Sequence, residues 1–199
     1  MPVNIIDVGT GNIKSVEYWL DRSNLPHKRV SNIRGLTEDT IIIPGVSSAG
    51  EYMQELRHSG LDKEIIARAK QGQKIIGICL GFQLLTHYSE EDGGVDCLGI
   101  LNGSAKYLDG RKAHNGWTPF FLDSRHLSTN KHLEKKRKKI VNGRVYFNHE
   151  LRVDLDSGAY ISKLDDGIVS FAIQDNVFGF QFHPEKSQVT GQEILELII

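Results

Sequence analysis

The chain has 199 residues, 39% apolar and 25% charged, with a formal net charge of −1. A chain this long can bury a core without disulfide or metal staples, and a near-zero charge supplies no global field toward nucleic acid or an acidic membrane. Two cysteines, Cys79 and Cys97, do not make a disulfide scaffold and favour a reducing, cytoplasmic setting. No run has the apolar length of a membrane span. Met1-Pro2-Val3-Asn4 lacks the charged and apolar regions of a leader and reads straight into a first strand. One domain covering 1–199 is expected.

In chain order, Val3–Val8 is a buried-strand run closed by Gly9-Thr10-Gly11-Asn12, and Ile13, Val16, Trp19 and Leu20 follow at helical spacing. Thr40–Ile43 predicts a second strand, stopped by Pro44-Gly45. Leu61, Ile65, Ile66 and Ala69 mark one face of a helix that Gly72 ends. Lys74–Ile78 predicts a third strand running into Cys79, and Leu80–Tyr88 a helix. Alternating strands and helices call for a parallel sheet covered on both faces. The second half predicts strands at Ser104–Leu108, Arg144–Asn148, Ala159–Leu164, Ile168–Gln174 and Val177–Phe182, with hairpin turns at Asp165-Asp166-Gly167 and Asp175-Asn176. Gly191–Ile199 closes the chain as a helix. The fold class is therefore α/β: a mixed, mainly parallel central sheet flanked by helices, with antiparallel strands added. Between Arg125 and Lys139 stand seven Lys/Arg residues and one acid, Glu134. That stretch reads as a solvated face or as a docking surface for an acidic partner or a phosphate. With no aromatics interleaved, it gives no support for nucleic-acid binding.

Three segments carry chemistry. In Gly77-Ile78-Cys79-Leu80-Gly81 a nucleophile stands between a strand and a helix with a glycine two residues away on each side, the pattern of a nucleophile elbow. The sharp turn needs the glycines, lifts the sulfur clear of the sheet near a helix N-terminus, and aims the Leu80 N–H where an oxyanion would form. The other reading of this motif alone is a small buried cysteine in a tight turn. In Phe182-His183-Pro184-Glu185, His183 has the chemistry of a general base toward Cys79, and Glu185, two residues on in an extended segment, can orient the imidazole. Alone, His-Pro-Glu is more often an ordinary loop; behind an apolar strand and paired with the elbow it is much more telling. Pro44-Gly45-Val46-Ser47 ends a strand at the same sheet edge, where a turn could give a second oxyanion donor or simply terminate the strand.

At these residues the chain resembles the class I (triad) glutamine amidotransferases and, more narrowly, the glutaminase subunits of imidazole glycerol phosphate synthase. The segments that carry the likeness are Ile6–Asn12, Pro44-Gly-Val46, Gly77–Leu85, Ser89-Glu-Glu91, Leu98-Gly-Ile100 and Gly179–Ser187. The resemblance implies a flavodoxin-like glutaminase fold and a thioester between Cys79 and the side-chain acyl group of L-glutamine. Cys79, His183 and Glu185 match its triad, the backbone of Gly45, Val46 and Leu80 its oxyanion hole, and Gln83 the residue that holds the substrate's amino-acid end. It further implies no cofactor or metal, and release of ammonia through a channel to a separate (β/α)8 cyclase, with Asn12, His114, Trp117, Tyr146, His149 and Lys186 toward that partner. The chain departs from the family's pattern at Ser47 (usually Gly), at Asn115 and Thr118, and at Glu150 and Leu151. These departures leave a second partner open, a sugar amidotransferase of surface-polysaccharide synthesis. Readings of another class are a cysteine peptidase, a γ-glutamyl hydrolase, or a non-catalytic binding module, which would have no need of the full triad.

Overall fold

The protein is described by a computed structural model covering residues 2–127, 140–156 and 158–199. Most of the basic stretch 125–139 lies outside the described residues. The first half alternates strands and helices: β1 (Val3–Ile6), α1 (Ile13–Asp21), β2 (His27–Val30), β3 (Ile41–Ile43), α2 (Ala49–Ser59), α3 (Leu61–Lys70), β4 (Ile75–Ile78) and α4 (Leu80–Leu84). The second half adds β5 (Tyr88–Ser89), β6 (Val95–Asp96), β7 (Gly103–Tyr107), β8 (His114–Asp123), β9 (Ile140–His149), β10 (Leu151–Leu155), β11 (Tyr160–Lys163), β12 (Val169–Gln174), β13 (Val177–Phe180) and α5 (Gln188–Ile198).

The central sheet runs β11-β12-β13-β4-β3-β1-β2. The five strands from β13 to β2 are parallel, and β12 and β11 join antiparallel through the two expected hairpins. The parallel part has the strand order of doubly wound flavodoxin-like sheets, which collect their sites beyond the strands' carboxyl ends. Isoleucine runs suit this sheet because both faces are covered. Ile42, Ile76, Ile78, Phe178 and Phe180 pack on one side with Trp19 and Leu20 of α1 and Ile194 of α5. Ile41, Ile43 and Ile75 pack on the other with Tyr52 and Leu56 of α2 and Ile65 of α3. A four-stranded sheet (β10-β7-β5-β6) and the β8–β9 hairpin flank this core, and no helix among the described residues is long and apolar enough to cross a membrane.

Several elements differ from the sequence reading. The helix expected over Leu80–Tyr88 stops at Leu84, and Tyr88 enters a strand. The cause is competition for carbonyls: Leu98 N–H donates to Leu84 O, and Ile100 and Leu101 N–H both donate to Leu85 O, at 2.8–2.9 Å. The strand expected over Arg144–Asn148 begins at Ile140, and its partner β8 was not foreseen. Asn115, Gly116 and Pro119 give β8 the composition of a loop, yet it pairs with β9 from His114↔His149 to Asp123↔Ile140. The charged edge strand β2 and helix α2 were also missed. For α2 the signal was present: Ala49, Tyr52, Met53 and Leu56 are buried at helical spacing, Ser48 caps the start through Glu51 N–H, and Gly60 ends it in the left-handed region at φ 72°.

Candidate active site

Cys79 follows β4 with φ 53° and ψ −108°, a strained conformation for a residue with a side chain. The turn closes because its flanking positions lack side chains. A Cβ at Gly81 would lie 1.9 Å from the Ile43 carbonyl oxygen, and one at Gly77 would lie 2.7 Å from the Gly81 oxygen. The Cys79 N–H donates to Phe180 O at 2.7 Å, tying the elbow to the end of β13. Leu80 is the first residue of α4, so its N–H has no acceptor within the helix. The Pro44–Ser48 segment lies directly against this turn: a Cβ at Gly45 would meet Leu80 Cβ at 2.5 Å.

His183 stands three residues past the end of β13, and its N–H donates to Tyr146 O at 2.8 Å. Ser187 Oγ donates to His183 O at 2.6 Å and accepts from Tyr146 N–H at 3.0 Å, which locks the turn through Pro184–Lys186. His183 Nδ1 lies 2.7 Å from Glu185 Oε1, and both side chains are fully buried. The Nε2 atom has no hydrogen-bond partner among the described residues. The Cys79 thiol instead donates to Asn148 O at 3.6 Å. Burial alone would lower the imidazole pKa; the nearness of Cys79 and the hydrogen bond and charge of Glu185 outweigh it and raise the value to about 10. Cys97 offers a contrast, because burial pushes its thiol up to about 12 and it faces Val95 O.

A cavity of about 310 Å³ opens beside Cys79, walled by Gly45, Val46, Ser47, Leu80, Gln83 and Glu91 on one side and Ala113 and Asn148–Leu151 on the other. Gln83 is buried and donates to Leu151 O at 3.0 Å. Glu91 was not singled out from the sequence. Its carboxyl pKa is raised by burial, and it accepts the Ala49 N–H at 2.8 Å, joining the cavity wall to the start of α2. The signal lay in Ser89-Glu90-Glu91, which sequence reasoning used only for family likeness.

The residues expected toward a partner divide. Trp117, Tyr146 and Lys186 share one outer patch: the Trp117 and Tyr146 rings meet at 5.8 Å, and Lys186 Nζ sits 5.8 Å over the Tyr146 ring. Asn12 turns inward and donates through Nδ2 to Glu185 Oε1, the oxygen that also receives His183. His149 is 6% exposed and belongs to the cavity wall, with His114 behind it. Neither Asn12 nor His149 presents its side chain as a docking surface in this arrangement, because each is committed to an internal hydrogen bond.

The sequence matches the family described as glutamine amidotransferase class-I over residues 5–199. The chain belongs to that family. It is 36% identical to the imidazole glycerol phosphate synthase subunit HisH of Bacillus subtilis (strain 168), covering 97% of this chain and 93% of the relative. It is 37% identical to the same-named subunit of Aquifex aeolicus (strain VF5), covering 96% and 93%. Among solved structures, the structure of PurLQS from Thermotoga maritima superposes with a TM-score of 0.75 at 20% identity, covering 99% of this chain and 97% of that one. A crystal structure of a glutamine amidotransferase gives 0.69 at 18% identity, with the same coverages. These two superpositions bear out the expected fold, and the class I amidotransferase's parallel sheet puts the elbow, the His183 turn and the Pro44–Ser48 segment at one edge.

Proposed function

We propose that this amidotransferase is the glutamine-hydrolysing subunit of an imidazole glycerol phosphate synthase, serving histidine biosynthesis. Cys79 acts as nucleophile, His183 as general base and then acid, and Glu185 as the group that orients the imidazole. The observation that carries this reading is the strained Cys79 beside the buried His183–Glu185 pair, opening into a cavity that Gln83 lines. The thiol's proton resides on His183, whose raised pKa favours holding it, and the thiolate sulfur attacks the side-chain amide carbon of glutamine. The negative charge that develops on the amide oxygen is met by the Leu80 N–H and by the Gly45–Val46 backbone. His183 returns the proton to the departing nitrogen, which leaves as ammonia. Water, deprotonated by the same imidazole, then cleaves the thioester to glutamate. The ammonia passes to a separate cyclase subunit, with Trp117, Tyr146 and Lys186 on the surface facing it. The test is glutamate release from L-glutamine by the purified chain, together with identification of the protein that co-purifies with it. Changes at Ser47, Asn115, Thr118, Glu150 and Leu151 favour as second reading the same reaction feeding a sugar amidotransferase. A co-purifying (β/α)8 cyclase decides for the first, a sugar amidotransferase for the second.

Two residues around the triad have assigned parts. Gln83 recognises the amino-acid end of glutamine, so Gln83→Ala raises KM more than it lowers kcat; an unchanged KM returns Gln83 to a structural role at the helix. Asn12 supplies Glu185 with a second charge-assisted hydrogen bond. Asn12→Ala is expected to lower kcat by roughly ten- to a hundred-fold with little change in KM, since such bonds contribute about 1.5–3 kcal/mol. Steady-state glutamate release checks both, and an unaltered kcat would leave Asn12 as no more than the start of α1.

A further inference from the structure

Behind the glutamine cavity lies a chain of hydrogen bonds in which every proton has only one place to be. His149, the last residue of β9, has Nδ1 2.7 Å from Leu151 O. A carbonyl only accepts, so Nδ1 carries the proton and Nε2 of the neutral ring is an acceptor. Its partner is His114 Nδ1 at 3.3 Å, which must then be the donor. His114 Nε2 in turn accepts from the Thr118 hydroxyl at 2.9 Å. Leu151 O uses its second lone pair to accept Gln83 Nε2 at 3.0 Å. The direction is thus Thr118 to His114 to His149 to Leu151, with Gln83 meeting the same carbonyl from the other side.

The surroundings hold this arrangement. The His114 ring stacks on Phe147 with centroids 4.3 Å apart and planes inclined by 13°. His149 is buried, and burial lowers its pKa to about 4; burial lowers that of His114 as well. A second proton on His149 Nε2 would face the His114 N–H donor to donor. Both rings face Asp166, which favours charge on them, but its effect is the smaller one, and His183 opposes charge on His149.

We propose that His149 is a positioning residue for glutamine binding: as a neutral Nδ1–H donor, oriented by His114 and Thr118, it fixes the Leu151 carbonyl on which Gln83 is anchored. Both of its ring nitrogens are engaged within the protein, with Leu151 O and His114, so it acts through Leu151 and Gln83. The same short segment carries the Asn148 carbonyl that faces Cys79 Sγ at 3.6 Å, so one imidazole ties the amino-acid end of the cavity to its reacting end. This inference rests on the glutaminase reading given above.

The experiment is calorimetric titration of L-glutamine into the full chain carrying Cys79→Ala, which binds without turnover. Adding His149→Ala is expected to weaken binding about ten-fold, the scale of losing one well-oriented buried hydrogen bond. His149→Asn, whose side-chain N–H can occupy the place of Nδ1–H, is expected to recover most of that loss. His114→Leu lies outside the cavity wall and removes the orienting donor, along with the ring's stacking on Phe147 and its bond with Thr118; it is expected to weaken binding by a smaller factor, and it carries the test with His149→Asn should His149→Ala not fold. An unchanged affinity in His149→Ala, or equal weakening by the Ala and Asn variants at the same thermal stability, overturns the proposal. A Cys79→Ala chain that binds no glutamine at all instead removes the glutaminase reading itself.

Discussion

Cys79→Ala is expected to lower glutamate release by about four orders of magnitude or more, the scale seen when a covalent nucleophile is removed. The argument is one of placement. The residue at 79 is held at φ 53° by a turn that tolerates no side chain at 77 or 81, and its amide is tied to the end of β13. That strain is retained because it brings the sulfur to the edge of the sheet where His183 and Glu185 are buried together. Cys97→Ala is expected to leave the rate unchanged. Cys97 is away from the cavity, and burial raises its thiol to about 12, so at neutral pH it presents almost no thiolate. Treatment with a glutamine-like electrophile, followed by peptide mass analysis, should find one adduct, on Cys79. A label on Cys97, or turnover that survives Cys79→Ala, would remove the mechanism.

How far the sequence reaches depends on whether the signal is local. The strands of the parallel core were legible because Ile41–Ile43 and Ile75–Ile78 are buried on both faces and read as plain apolar runs. The elbow was legible because both glycines stand within two residues of Cys79, although only Gly77 is demanded by its own turn and Gly81 by the Ile43 carbonyl of β3. Strand β8 was not, since its Gly and Pro argue against a strand and only the long pairing with β9 overrides them. The roles of Asn12 and His149 were hidden for the same reason. Asn12 meets Glu185 across 173 positions of chain, and His149 meets His114 across 35, distances that no residue pattern spans. Family likeness marked those residues as notable but assigned them to a surface; the fold turned them inward.

The isolated chain is expected to hydrolyse glutamine slowly, and Val46→Gly to raise that basal rate. None of residues 44–48 lies in the positive-φ region, so the Pro44–Ser48 segment rests in a relaxed conformation. Turning the Gly45–Val46 peptide to aim its N–H at an oxyanion swings φ of Val46 toward positive values, which a β-branched side chain resists. Ser47 adds a second restraint: its Oγ accepts from Thr10 Oγ1 at 3.2 Å, tying the segment to the loop that also carries Asn12. Where the family keeps a glycine after the valine, this chain has neither the freedom nor an untethered side chain. Val46→Gly removes a strain of about 1–3 kcal/mol, so the basal kcat should rise roughly ten-fold or more. Ser47→Gly should give a smaller rise, by freeing the next peptide and the Thr10 contact. Binding of the acceptor subunit can favour the active arrangement only by its differential affinity for it. The partner should therefore raise kcat of the wild-type chain by orders of magnitude and that of Val46→Gly by less, because part of the cost is already gone. Glutamate release measured for both chains, with and without the partner, decides this. Brisk hydrolysis by the wild-type chain alone, or equal stimulation of both by the partner, would show that the resting conformation of Pro44–Ser48 is not what restrains the enzyme.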